Sequence, residues 1–231
     1  MINSGPKEVV IFGAGALGAI LYDCLAGDDR WVCTAFHDDG KAGQTLYGLP
    51  ILGTGPDQLK AGQSVFMALG DPSVRRAVVE RLRPRDLVWE IFVDRRSMVG
   101  PNAKIGEGSI VLCQAVIASS VVIDPFTWCG TGSQIGGGST IGAFSSVLSG
   151  AFVTGSVIGE ECILGLRSLC STGARLGNRV TVGPATVLHR PIPEGAFVIG
   201  NPARVFARGA PGFASRTTRG LSAVPNEIPD E

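Results

Sequence analysis

The sequence predicts an α/β plus β chain: a small α/β domain over residues 1–95, then a parallel coil of short strands over 96–206. Three observations predict it. An apolar residue recurs every sixth position from Val99 to Leu188. The chain opens on a buried strand, a glycine turn and a helix, EVVIFGAGALGAILYDCLAG. The composition, 33 glycines and only 6% aromatic residues in 231, suits many tight turns.

In the first domain the run after Glu8 is a strand, and Gly13, Gly15 and Gly18 follow it at G-x-G-x-x-G spacing. Such glycines let the chain turn tightly and let backbone approach a phosphate at a helix N-terminus. A second strand, WVCTAFHDD, brings His37 to its end and Asp38 and Asp39 about twenty residues past the turn, where a carboxylate can meet a ribose hydroxyl. SVFMALGDPSVRRAVVERL gives a third strand, a loop containing Gly70, and a helix carrying Arg75; LVWEIF gives a fourth strand. The expectation is a Rossmann-like domain. Ninety-odd residues hold about one mononucleotide half, which favours a mononucleotide or nucleotide-sugar over NAD. A scaffold of the same shape that binds nothing is the competing reading.

The hexads run through Val99, Ile105, Val111, Ile117, Ile123, Cys129, Ile135, Ile141, Val147 and Val153. They slip by one residue and resume at Ile158, Leu164, Cys170, Leu176, Val182 and Leu188. Four residues after most anchors sits a small side chain, such as Ser109, Ala115 or Ser145, and glycine often follows the anchor directly. A period of six is neither helical nor simply alternating. It suits a triangular coil in which each hexad makes one short strand and one corner, with the anchor inside. The slip near Thr154–Val157 predicts a local irregularity at one corner. Cys129 and Cys170 occupy anchor positions and are expected as core, not nucleophiles.

Together the two parts resemble the bacterial sugar O- and N-acetyltransferases of the hexapeptide-repeat superfamily, including sialic-acid O-acetyltransferases and bacillosamine N-acetyltransferases. The stretches that carry the likeness are VVIFGAGALG, FHDD, MALGDPSVRRAV and the closing RPIPEGAFVIGNPARV, within residues 8–206. The resemblance implies that the coil is a left-handed parallel β-helix and that acetyl-CoA or another acyl-CoA is the donor. It also implies a nucleotide-linked sugar, or related amine or alcohol, as acceptor, and a homotrimer with the donor between subunits. By the same resemblance Gly13, Gly15, Leu17, Gly18, His37, Asp38, Asp39, Gly70 and Arg75 are expected around the nucleotide. Ser146, Arg190, Gly200, Asn201, Pro202 and Arg204 are expected along the acyl-CoA. No metal is expected.

The likeness departs at its chemistry. The family's general base is a histidine in a stretch like (V/I)-E-H-(D/E)-C-x-I-G; alignment of the hexads sets it against QIGGGSTIG, with Gly137 in the histidine's place. A second family histidine falls on Ser146, and the one within the first glycine loop falls on Leu17. Only His37 and His189 are present. His189 lies close to three coils beyond Gly137, about 14 Å at ~4.8 Å per strand, too far to substitute. Cys113 has no obvious activating neighbour in sequence. The expected activity is therefore acyl transfer without the usual histidine. The alternatives are an acyltransferase fold turned to other chemistry or to ligand binding and, behind that, an NAD-linked enzyme.

Bulk properties exclude other classes. Lys+Arg and Asp+Glu both total 20, so nothing marks a nucleic-acid binder. No apolar run approaches ~18 residues, so no membrane helix is expected. Six cysteines without Cys-x-x-Cys spacing, and an N-terminus too short and glycine-rich for a signal peptide, suit the cytoplasm. After Val205 the hexads end, and 207–231 is expected to be a disordered or subunit-packing tail.

Overall fold

The computed structural model describes residues 5–55 and 58–207. Apart from residue 207, the tail expected at 207–231 lies outside the described residues.

The first part is one six-stranded sheet. Its strands are β1 (Lys7–Phe12), β2 (Trp31–His37), β3 (Thr45–Leu46), β4 (Leu49–Leu52), β5 (Ser64–Met67) and β6 (Val88–Trp89), in the order β3-β4-β2-β1-β5-β6. Only β3 and β4 pair antiparallel. The last four residues of β1 and all of β5 are buried, as the continuous apolar runs of a doubly covered parallel sheet require. β1 pairs with β2 on one side and β5 on the other. The chain order reverses there, so the loops leaving β1 and β5 face each other across a crevice.

Among the described residues two α-helices complete this part, α1 (Ala16–Leu25) and α2 (Pro72–Leu82). Asp71 caps α2, accepting from Ser73 N at 2.9 Å and Val74 N at 3.1 Å, with Pro72 in the first turn. The β3–β4 hairpin is absent from the sequence expectation. Its two turn residues, Tyr47 and Gly48, have φ of 52° and 78°, the left-handed pair of a two-residue hairpin. A Tyr-Gly dipeptide does not advertise that turn as Asn-Gly would.

The coil is built from two-residue strands whose first residue points out and second points in. They stack in three parallel ladders of eight, six and five strands, the eight-stranded one ending in an antiparallel strand, Arg204–Phe206. Every anchor from Val111 to Leu188 is buried, Cys129 and Cys170 included, while Val99 and Ile105 are partly buried at the coil's start. The slip is real and local: Val153 and Ile158 both sit on ladder positions, five residues apart. Ser156 fills the shortened corner, its hydroxyl within bonding distance of Thr154 O, Cys170 O and Ser171 O.

The coil begins one hexad earlier than the anchors suggest. Phe92–Val93 is its first strand, paired with Ile110–Val111, so the strand expected over LVWEIF is split between sheet and coil. Phe92, Ile110 and Trp128 point outward from the coil yet are buried, because they share a core with Val9, Ile11, Phe36 and Phe66 of the sheet. A second seam joins Val79 and Leu82 of α2 to Phe126 and Phe144, whose rings stack at 5.0 Å. The two parts are therefore joined by two shared apolar clusters, while the interior of the coil forms a third of its own.

Candidate functional site

The crevice between the loops of β1 and β5 is shaped by glycine. Gly13 has φ +104°, and a Cβ there would lie 2.7 Å from Ala68 O; one on Gly18 would lie 1.9 Å from Gly13 O. Both positions exclude side chains. Gly15 differs: its φ is −98° and nothing lies within 4 Å of an added Cβ. It is the N-cap of α1, and no side chain caps the helix, whose N-terminal amides favour an anion. Gly70, from the β5 loop, faces Leu17, with 3.5 Å between an added Cβ and Leu17 Cδ1.

Asp38 is tied to the glycine loop. It accepts from Ala14 N at 3.1 Å and Gly40 N at 3.0 Å, while Lys41 Nζ donates to Ala14 O at 2.7 Å. Asp39 points to Thr54, accepting from its amide and hydroxyl, with Arg81 Nη2 at 3.3 Å. The Thr54 bonds hold its carboxyl below the usual range.

Three expected ligand groups are instead interior. His37 is 1% exposed; its ring stacks on Phe12 at 5.1 Å and Nδ1 lies 2.7 Å from Gly53 O. Burial lowers its pKa, so the ring is neutral, Nδ1 donates, and Nε2 is left without a partner. Arg75 is also 1% exposed. Its guanidinium donates to Leu69 O at 2.6 Å, Phe144 O at 2.5 Å, Ser145 O at 3.2 Å and Ser146 Oγ at 3.1 Å. Burial pulls its pKa down to about 10, still cationic near neutrality. Ser146, 2% exposed, is the other end of that strut. Arg75 and Ser146 therefore join α2 to the coil. Sequence could not reveal this, because three of the four acceptors lie some seventy residues downstream.

The glycine triplet forms an exposed corner. Gly138 N donates to Ser120 Oγ at 3.1 Å on the preceding coil, and Gly155 N donates to Gly137 O at 3.3 Å on the next. Gly173 N continues the column to Gly155 O at 3.2 Å, and an added Cβ on Gly173 would stand 3.7 Å from His189 O. His189 is thus three steps from Gly137 and belongs to another level. Beside Ser120 opens a cleft of about 400 Å³ lined by Asn102, Lys104, Ser119, Ser120, Val121 and Val122. The groups nearest the triplet are hydroxyls: Ser120 Oγ lies 2.9 Å from an added Cβ on Gly137, and Thr154 Oγ1 2.7 Å from one on Gly136. Neither is a base at neutral pH.

Arg190, Asn201, Pro202 and Arg204 are exposed at the coil's far end. There Gly200, with φ +98°, accepts from Val187 N and donates to Thr186 Oγ1 at 3.0 Å, and the Asn201–Pro202 bond is cis.

One cluster has no sequence signal. Cys24 of α1, Asp94 and Cys113 place two sulfurs and a carboxylate oxygen within 4.8 Å of one another. Asp94 is already held by Arg96, whose backbone N, Nε and Nη2 donate to it at 2.8, 3.0 and 2.8 Å. That pairing keeps its carboxyl low and sets a guanidinium where a metal would need open oxygen. The two cysteines are 89 positions apart, and only the docking of α1 on the coil brings them together.

Comparisons with known proteins agree with this geometry. The family profile "PglD N-terminal domain" matches residues 8–82. YvoF of Bacillus subtilis (strain 168), an acetyltransferase by assignment only, is 33% identical over 76 residues. That stretch is 33% of this chain and 44% of YvoF, so the match spans less than half of that relative. The acetyltransferase domain of PglB from Neisseria gonorrhoeae FA1090 superposes with TM-score 0.78 at 26% identity, covering 87% of this chain and all of that one. It has also been solved with acetyl coenzyme A. PerB from Caulobacter crescentus, solved with CoA and GDP-perosamine, shares the fold with TM-score 0.80 at 23% identity, over 88% of this chain and all of its own. With a PglD-type first domain and a parallel β-helix that together superpose on these structures, the chain is similar to sugar acetyltransferases of the hexapeptide-repeat family.

Proposed function

We propose that the protein is an acyl-CoA-dependent acetyltransferase acting on a nucleotide-linked sugar, working without a histidine general base. The observation that carries the reading is the near full-length likeness to the PglB acetyltransferase domain, whose structure holds acetyl coenzyme A. The crevice agrees with it: Gly15 leaves open space over the uncapped N-terminus of α1, where a diphosphate gains from the helix amides. PerB binds a nucleotide-sugar, GDP-perosamine, on the same fold.

The reaction asks for little from the protein beyond placement. An amine or hydroxyl of the acceptor attacks the thioester carbonyl, the C–S bond breaks, and CoA leaves as the thiol while the acceptor's proton is lost. Holding the reactants together supplies much of the acceleration; a general base typically adds ~10²–10⁴-fold. With Gly137 at the family's histidine position, the proton goes to water or buffer and the turnover is slow. A neutral sugar amine suits that chemistry better than a hydroxyl, because the amine is already nucleophilic.

We place the enzyme in the cytoplasm as a homotrimer. An outward row of Met98, Val116, Phe152, Leu169 and Val187, broken only by Gln134, supports an interface between copies; Met98 is 62% exposed in the single chain. Light scattering should give three times the chain mass.

Calorimetry with acetyl-CoA, UDP-, GDP- and CMP-sugars and NAD tests binding, and release of free CoA thiol tests transfer. Binding of acetyl-CoA and a nucleotide-sugar with thiol release supports the reading. Binding of both without any release favours the second reading, a ligand-binding protein on an acyltransferase fold, which the bare corner at Gly137 motivates.

A further inference from the structure

We propose that Cys24 and Cys113 form a dithiol modification site that hydrogen peroxide closes to a disulfide, fastening helix α1 of the first domain to the coil. The site is separate from the crevice and from the glycine corner, and the inference does not depend on the acetyltransferase reading.

The geometry is specific. Both sulfurs and an Asp94 oxygen lie within 4.8 Å of one another. A disulfide needs about 2.05 Å between sulfurs, so the gap to close is at most about 2.8 Å. Rotation of a cysteine side chain between staggered wells moves its sulfur about that far. Cys24 is 8% exposed on α1, whereas Cys113 is half-buried at a coil corner and reachable from outside. A cavity of about 180 Å³, bounded by Asp23, Gly27, Asp94, Arg95 and Arg96, lies on the Cys24 side of the pair.

The two thiols differ in their surroundings, and that difference assigns their parts. Cys24 is pushed up to about 11 by burial first and by the charge of Asp94 second, and its thiol donates to that carboxylate. It stays protonated and is the resolving group. Cys113 is the more accessible sulfur and meets peroxide first.

The steps balance. The Cys113 sulfur attacks one peroxide oxygen; an S–O bond forms, the O–O bond breaks, and the departing hydroxide takes up the thiol's proton and leaves as water, giving a sulfenic acid. Cys24 sulfur then attacks Cys113 sulfur: the S–S bond forms, the S–O bond breaks and water leaves. The Cys24 proton passes through Asp94 to the departing oxygen. In sum two thiols are oxidised to one disulfide and one peroxide is reduced to two waters. A metal is the poorer occupant, because Arg96 occupies both oxygens of Asp94.

The experiment uses the folded full-length chain. It is exposed to excess hydrogen peroxide, alkylated, digested without reduction and mapped by mass spectrometry. The expected product is an intramolecular Cys24–Cys113 cross-linked peptide that disappears on treatment with dithiothreitol and is absent in Cys113→Ser. In Cys24→Ala the reaction stops one step earlier, and Cys113 is trapped by dimedone as the sulfenic acid. Persistence of both thiols in the folded wild-type protein under excess peroxide overturns the proposal. So does a cross-link of either cysteine to any other position, or between chains.

Discussion

The Arg75 guanidinium donates to Ser146 Oγ at 3.1 Å, so a buried cation on α2 is fixed to a coil strand seventy-one residues further along the chain. The same guanidinium reaches Leu69 O at the crevice loop. One side chain therefore sets the crevice relative to the coil.

Removing it is costly. Arg75→Ala leaves the Leu69, Phe144 and Ser145 carbonyls buried without that donor and opens a gap beneath α2. Leaving a buried acceptor without its donor costs about 1–3 kcal/mol. Arg75→Lys keeps a charge but cannot span all four acceptors from one planar group, and should recover only part of the loss. Urea denaturation of the two variants beside wild type reads both effects. A loss below about 1 kcal/mol for Arg75→Ala would show that the strut is dispensable.

His37 should give the fold a pH dependence of its own. Burial lowers its pKa from the usual 6.5, so the folded protein resists a proton that the unfolded chain accepts. The stabilisation is complete above about 6.5 and is lost as pH falls from there toward the folded value. The lowered carboxyls of Asp28, Asp39, Asp71 and Asp94 act in a separate window, losing their contribution only as pH drops below their unfolded value of 3.8. Urea midpoints should fall as pH drops below about 6.5 in wild type and fall less in His37→Gln. An equal slope in both proteins would assign the effect elsewhere.

Gly15 separates binding from folding. Because an added side chain meets nothing within 4 Å and φ is negative, Gly15→Val should melt near the wild-type temperature. The side chain would stand in the crevice and weaken nucleotide-sugar binding tenfold or more, about 1.4 kcal/mol. Gly18→Ala, with its Cβ 1.9 Å from Gly13 O, should instead unfold the domain. Unchanged calorimetric affinity in a well-folded Gly15→Val would place the nucleotide elsewhere.

Gly137 offers the test of chemistry. Of the three glycines, Gly136 would press a Cβ within 2.7 Å of Thr154 Oγ1, and Gly138 has φ +72°. Gly137 alone has ordinary φ and only the movable Ser120 hydroxyl nearby, at 2.9 Å. Gly137→His is thus sterically fairer than restoring a full Glu-His-Asp stretch, whose first and third members would strain the corner. If the site transfers acetyl groups, the rate of CoA release should rise by up to ~10²–10⁴-fold. His189→Ala, three coil steps away, should leave the basal rate unchanged. A folded, ligand-binding Gly137→His with no gain would count against the histidine alignment.

By itself the sequence determined the coil and the crevice. A period of six can be satisfied by one kind of backbone, so each anchor from Val111 to Leu188 is buried, and even the slip is absorbed at Ser156 without moving Ile158 off its ladder. Gly13 and Gly18 were legible for the same local reason: each is required by backbone within a few residues or by the strand next door. The fate of polar side chains was decided only in three dimensions. His37, Arg75 and Ser146 read as ligand groups, yet each is interior: His37 packs on Phe12 and Gly53 within the first domain, while Arg75 and Ser146 are buried where α2 meets the coil. Cys24 and Cys113 became neighbours through that same docking. Periodicity reports which face of an element is apolar; it does not report which polar groups another element will cover, since that depends on contacts between distant parts of the chain.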